Sequence, residues 1–258
     1  MNIRRGHCHF LILSLLFVNA VQARDGNALT MCIDHYPPLQ MVLPGGEATG
    51  ENVELTRAFA QRLGYQLKFT ADTPFKRCLQ WLKDGLVDVM AGLLHSPQRH
   101  LDYHMFLYDD STVKQFFVRK NHLKITRFSD LEGLVIGVVR GSRQFELFDN
   151  APEGMFTKVY VNTLTAAFGM LEKERVDAVV CTDYYGHNVI NSHPEYKAKI
   201  IPAAYTVIDG TRVYIGLSRK SPFASELSRF QTLAEEMHQT GEFTELMRQF
   251  QIQHPEYY

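Results

Sequence analysis

The chain has 258 residues, with 27 Lys and Arg against 28 Asp and Glu and a formal net charge of −1. At 45% hydrophobic and 21% charged residues it has an ordinary globular composition, long enough for one large domain or two small ones. Charge so balanced gives no electrostatic case for a nucleic-acid partner.

Arg4 and Arg5 form a basic start, and residues 10–18 (FLILSLLFV) an apolar run far too short to span a bilayer. Val21-Gln22-Ala23 then supplies small residues at the right places. This predicts a signal peptide at 1–23, cleavage after Ala23 and export to the periplasm, with an uncleaved anchor as the alternative. Removing Arg4 and Arg5 takes the net charge from −1 to −3. Cleavage leaves Cys32, Cys78 and Cys181, of which two can pair in an oxidising compartment. The favoured pair is Cys32–Cys78, both in the first half of the chain, one on a strand and one on a helix. Three free thiols is the alternative. Cys181 ends an apolar run and reads as a buried thiol.

Residues 29–33 form a short apolar strand, and Asp34-His35-Tyr36-Pro37-Pro38-Leu39 a stiff loop at its carboxyl end. Gly45-Gly46 marks a turn. Asn52 is expected to cap a helix whose stripe is Leu55, Phe59 and Leu63, closed by Gly64. Residues 65–69 alternate as a strand. Pro74 opens a second helix with Leu79, Leu82 and Leu86 at helical spacing, and Gly85 ends it. Val87, Val89 and Met90 suit a strand covered on both faces, and residues 91–99 a polar loop at its carboxyl end. The result is a β-α-β-α-β run of the parallel-sheet kind, in which ligands bind outside the carboxyl ends of the strands.

After Arg99 the chain reads as irregular and rich in Tyr and Asp. Residues 115–118 are a strand, 128–131 one helical turn and 134–139 a strand, with Gly141-Ser142-Arg143 at its end and a helix over 144–148. Strand, helix and strand recur at 159–161, 164–174 and 176–181, ending in Thr182-Asp183. A late strand spans 213–217. Ser221-Pro222 starts the final helical region, which Gly241 breaks before a last helix over 243–250. There are no repeats, low-complexity tracts or flexible Ser/Gly linkers.

The ordered set of motifs resembles the periplasmic solute-binding proteins of family 3, the polar-amino-acid receptors of ABC importers. Gly50-Glu51-Asn52-Val53-Glu54-Leu55 is similar to that family's G-x-D-x-E-L, with Asn for Asp. Gly85-Leu86-Val87-Asp88 matches G-x-x-D, and Ser96-Pro97-Gln98-Arg99 matches T-x-x-R. Asp130-Leu131-Glu132-Gly133 with Ile136-Gly137-Val138 matches D-L-x-G…x-G-V, and Arg175-Val176-Asp177-Ala178 matches G-x-x-D-A with Arg for Gly. The resemblance implies an α/β, two-lobed, type II periplasmic binding protein-like fold. Each lobe is a mixed sheet flanked by helices, and two hinge strands join them: lobe one at 24–115 plus 213–258, lobe two at 116–212. It also implies a monomer without cofactor or metal. The protein would capture a small polar, carboxylate-bearing ligand between the lobes and deliver it to an ABC permease in the inner membrane.

The same resemblance assigns the site. Arg99 would clamp the ligand's carboxylate, unless it is a surface arginine paired with Asp102. Tyr36 and Phe75 would sandwich the ligand, and Gly92 would offer its carbonyl to an ammonium. Leu94 departs from the family's Ser or Thr. Ser142 sits where backbone N–H groups form an anion site, and Arg143 adds a charge or is merely solvated. Asp183, one residue later than the family's ammonium-binding Asp, is a ligand contact or a helix cap. Arg77 faces the cleft or pairs on the surface. No catalytic residue is assigned, G-x-S-x-G and HExxH being absent. A cyclohexadienyl dehydratase-like enzyme, with His35 and His95 near strand ends, is one alternative. A soluble partner of a sensor is the other.

Overall fold

A computed structural model describes residues 26–258; the expected signal peptide and its cleavage site lie outside the described residues. The chain starts with β1 (Ala28–Met31), and β2 (Met41–Val42) pairs with β3 (Ala48–Thr49) in a small ribbon. Helix α1 (Glu51–Arg62), β4 (Gln66–Phe69), α2 (Phe75–Asp84), β5 (Val89–Leu94) and α3 (Pro97–Asp102) follow. A long strand, β6 (Tyr103–Arg119), leaves this half of the molecule. The other half holds β7 (Val135–Val139), α4 (Glu146–Asp149), β8 (Thr157–Val161), α5 (Leu164–Glu172), β9 (Ala178–Thr182), α6 (Asp183–Asn191) and α7 (Pro194–Lys199). A second long strand, β10 (Ile200–Ser218), returns to the first half, where α8 (Leu227–Gln239) and α9 (Glu242–Gln253) complete it.

The strand order is β4-β1-β5-β10-β6-β9-β7-β8. β1 runs parallel to β4 and β5, and β7 parallel to β8 and β9. The long strands β6 and β10 pair antiparallel from Tyr103↔Ser218 to Arg119↔Ile200, with register shifts along the way. They are the two strands by which the halves connect. Each half has its own apolar core. Phe59, Phe106, Phe230 and Phe243 centre the first, and Phe116, Phe117, Phe148 and Phe168 lie in the second.

Local chemistry explains several boundaries. Gly85 takes a left-handed conformation, φ 76°, that costs glycine little. It lets the N–H groups of Gly85 and Leu86 reach back to Leu82 and Trp81. The reversal removes Leu86 from the stripe expected for α2: Leu82 is buried, whereas Leu86 is 61% exposed. Asp88 accepts from the Thr30 N–H at 2.9 Å and from the Ser221 hydroxyl at 2.7 Å, tying β5 to β1 and to the return of β10. Asp177 does the same in the second half, accepting from the Val135 N–H at 2.8 Å. The two x-x-D motifs are thus sheet fasteners.

Three expectations change. Gly50, not Asn52, is the N-cap of α1; Asn52 lies buried within the first turn and accepts from the Tyr108 hydroxyl at 2.7 Å. Residues 91–94 continue β5, and α3 follows, capped by Ser96, whose hydroxyl oxygen accepts from the Arg99 N–H at 3.1 Å. The stretch after Arg99 is no irregular segment: residues 100–102 complete α3 and β6 begins at Tyr103.

The cystine Cys32–Cys78 joins the residue after β1 to α2, with Cα atoms 5.6 Å apart. Cys181 is a buried free thiol, as expected.

Candidate functional site

Between the halves lies a cleft of about 840 Å³, part of it open to solvent. The loop after β1, the first turns of α1 and α2, and the end of β5 wall it on one side. On the other stand residues after β7 and at the end of β9. Lys114 and Thr112 of β6 line it as well.

Arg99 is 6% exposed and reaches both sides. Its guanidinium donates to the Leu94 carbonyl at 2.8 Å and to the Gly141 carbonyl across the cleft at 3.0 Å. It lies 5.7 Å from the centre of the Phe75 ring. Burial pulls its pKa down to about 10, with the Arg143 guanidinium acting in the same direction. It therefore stays charged at neutral pH at a desolvation cost that an anion would offset. Asp102, the surface partner considered for it, pairs with Lys83 at 3.0 Å.

Tyr36, Phe75, Gly92, Ser142 and Arg143 also line the cleft. Tyr36 packs its ring against Tyr185 of α6, across the cleft. Gly92 has φ 77°, and an added Cβ would stand 3.1 Å from the Asn52 amide nitrogen. The Ser142 hydroxyl donates to the Val139 carbonyl at 2.7 Å, and Arg143 pairs with Asp149 at 3.4 Å.

Two assigned residues are placed elsewhere. Arg77 is exposed and does not line the cleft. Two residues after Phe75 on a helix means about 200° around the axis, which turns it to the opposite face. Asp183 does not line the cleft either; its carboxylate accepts from the adjacent Tyr184 N–H at 2.6 Å, at the start of α6. Thr182, one residue earlier, lines the cleft, and its hydroxyl accepts from the Lys114 ammonium at 3.0 Å. His35 and His95 are exposed, and neither is a lining residue.

Other lining residues were invisible to sequence reasoning. Asp34 is buried, accepts from the Gln40 amide and has its pKa pushed up to about 7 by burial. Glu51, also buried, accepts from Gln251 at 2.9 Å and from the Tyr258 hydroxyl; burial raises its pKa while those two bonds pull it down. Asp34 follows the apolar run 29–33 and Lys114 directly precedes the strand read at 115–118, the only signals either carries. Among the described residues no group of three or more His, Cys, Asp or Glu is placed to hold a metal ion.

A family model for bacterial extracellular solute-binding proteins, family 3, matches residues 29–253. The chain belongs to that family. This family 3 solute-binding protein is 28% identical over 211 residues to the arginine-binding extracellular protein ArtP of Bacillus subtilis (strain 168), covering 80% of this chain and 79% of the relative. Among solved structures it resembles an ancestral arginine-binding protein bound to arginine, with TM-score 0.73, 21% identity and coverage of 86% of this chain and 97% of the other. It also resembles a histidine kinase sensor domain with similarity to periplasmic binding proteins, with TM-score 0.70, 22% identity and coverage of 86% and 95%. These likenesses show the two-lobed type II fold expected from the sequence.

Proposed function

We propose that this solute-binding protein captures a small amino acid bearing a free carboxylate between its lobes in the periplasm. It would then present the closed form to an ABC permease. The observation that carries this is Arg99: a buried, charged guanidinium at the cleft, with two of its five N–H donors spent on carbonyls, one from each lobe. A ligand carboxylate would meet the remaining donors. Phe75 and Tyr36 would flank the ligand. The moving bodies would be residues 24–115 plus 213–258 and residues 116–212, hinged on β6 and β10. Closure follows from differential affinity for open and closed states. The relatives named for arginine support an amino-acid ligand, and no catalytic role is assigned. A thermal-shift screen with amino acids, dicarboxylates and small amines tests the reading. A bound ligand at 100 times its dissociation constant adds about 2.7 kcal/mol of stability. Stabilisation by amines alone would refute the carboxylate clamp.

A further inference from the structure

Arg99 on the Gly141 carbonyl and the Tyr36 ring on that of Tyr185 join the halves within the cleft. Another connection lies outside it. The Asn188 amide, on α6, donates at 2.8 Å to the carbonyl of Tyr257, a residue beyond the end of α9. The Tyr258 ring then faces Tyr184 of α6, with 6.3 Å between centres, while its hydroxyl donates to Glu51 at the start of α1. Residues 254–258 thus follow a helix of one half and touch a helix of the other. Asn188, Tyr257 and Tyr258 do not line the cleft.

This segment is ordered by its own half before it reaches across. The ring centres of Phe250 and His254 are 4.5 Å apart and those of His254 and Tyr257 5.7 Å, and the Phe250 and Tyr257 rings lie within 8° of parallel. Phe250 is buried, so this stack is rooted in the body of the first half. Gln251 donates at 2.9 Å to the same Glu51 carboxylate that takes the Tyr258 hydroxyl, which fixes the last turn of α9 to α1. A segment organised in advance loses little conformational freedom when it docks. The Asn188 side chain is buried where it meets the Tyr257 carbonyl. The bond and the Tyr184 contact therefore act on the relative position of the two halves.

We propose that residues 254–258 form a strap that holds the lobes together without a ligand, so that the empty protein is already partly closed. This rests on the division into two moving bodies, 24–115 plus 213–258 and 116–212. Opening the cleft breaks the Asn188–Tyr257 bond and parts Tyr258 from Tyr184. A ligand in the cleft does not reach these residues, so the strap acts on affinity only through the closed fraction. The more of the protein is closed beforehand, the tighter any ligand of the closed form binds, by the same factor. One net hydrogen bond corresponds to a closed-to-open ratio about three- to tenfold higher.

The test is double electron–electron resonance on the empty protein, freed of bound solute by unfolding in guanidinium, dialysis and refolding with the cystine intact. Spin labels are placed on Ala71→Cys and Lys173→Cys, exposed positions on the first and second lobes. Cys181 is buried and Cys32 and Cys78 are bonded to each other, so the labels go to the introduced thiols. The strapped protein should show a resolved population at the distance of the closed structure. Asn188→Leu, which keeps the volume and removes the donor, should lower the closed-to-open ratio about threefold or more. Absence of a closed population, or an Asn188→Leu distribution that matches that of the strapped protein, would overturn the proposal. Should Asn188→Leu not fold, as seen by near-ultraviolet circular dichroism, Tyr258→Ala decides by the same criterion, since Tyr258 is 42% exposed. No ligand enters the measurement, so failure of the amino-acid reading leaves its outcome untouched, and its own failure leaves that reading intact.

Discussion

Replacing Asp34 by Asn should change how stability depends on pH. Burial pushes the Asp34 pKa from 3.8 up to about 7, so between these values the folded protein holds a proton that the unfolded chain has released. Where the unfolded state binds fewer protons, stability falls as pH rises. The Asp34 contribution is therefore a penalty that is absent below about pH 4, grows through the window and is complete above about pH 7. A gap from 3.8 to about 7 corresponds to on the order of 4 kcal/mol at 1.36 kcal/mol per pH unit. Glu51 and Asp149 have pKa values raised mainly by burial as well, and they tilt wild type in the same direction. The variant isolates Asp34, because an amide at this position keeps the shape and cannot titrate. Urea unfolding of wild type and Asp34→Asn at pH 4.5, 5.5, 6.5 and 7.5 measures it. The stability of the variant relative to wild type should rise by several kcal/mol from the lowest pH to the highest. Parallel curves would refute the claim that Asp34 is held in a desolvated site.

Other consequences can be checked directly. Cys32 and Cys78 are 46 residues apart, and closing a loop of that length stabilises by about 4 kcal/mol on chain-entropy grounds. Cys32→Ser with Cys78→Ser, or reduction, should lower the calorimetric melting temperature by roughly 8–16 °C, given about 2–4 °C per kcal/mol at this size; a drop of only a degree or two would contradict the cross-link. Leu82 is fully buried against the cystine, and Leu82→Ala should cost about 2–5 kcal/mol in urea unfolding, against little for Leu86→Ala on the exposed side of Gly85. Arg77→Ala should leave ligand affinity within about twofold, since the side chain stands on the far face of α2; a larger loss in titration calorimetry would return Arg77 to the site.

Much of the fold was written in local chemistry. The Pro74 opening, the Gly85 stop and the fastening aspartates Asp88 and Asp177 act over a few residues, and they marked α2, β5 and β9 within a turn or so. Of the long strands only the segments 115–118 and 213–217 were legible as strands; their full length was not. β6 carries Asp109, Thr112 and Lys114, and the last two are buried polar groups facing the cleft. A strand lining a polar cavity loses the apolar alternation by which strands are recognised. The candidate site divided in the same way. Arg99, Phe75, Tyr36 and Gly92 fell at positions a motif could locate. Glu51 gains its meaning from partners, Gln251 and Tyr258, that only the folded chain brings near, and Asp34 from its burial. Arg77 and Asp183 lie outside the cleft lining by one element of geometry each, the turn of a helix and the first residue after a strand.

The carboxylate clamp is most directly tested by a thermodynamic cycle: L-arginine and its decarboxylated analogue agmatine titrated into wild type and Arg99→Met. Loss of charge-assisted hydrogen bonds of this kind costs about 1.5–3 kcal/mol. Wild type should therefore prefer L-arginine by at least tenfold, and Arg99→Met should abolish the preference. Equal binding of the two ligands by wild type, or an undiminished preference in the variant, would contradict the account.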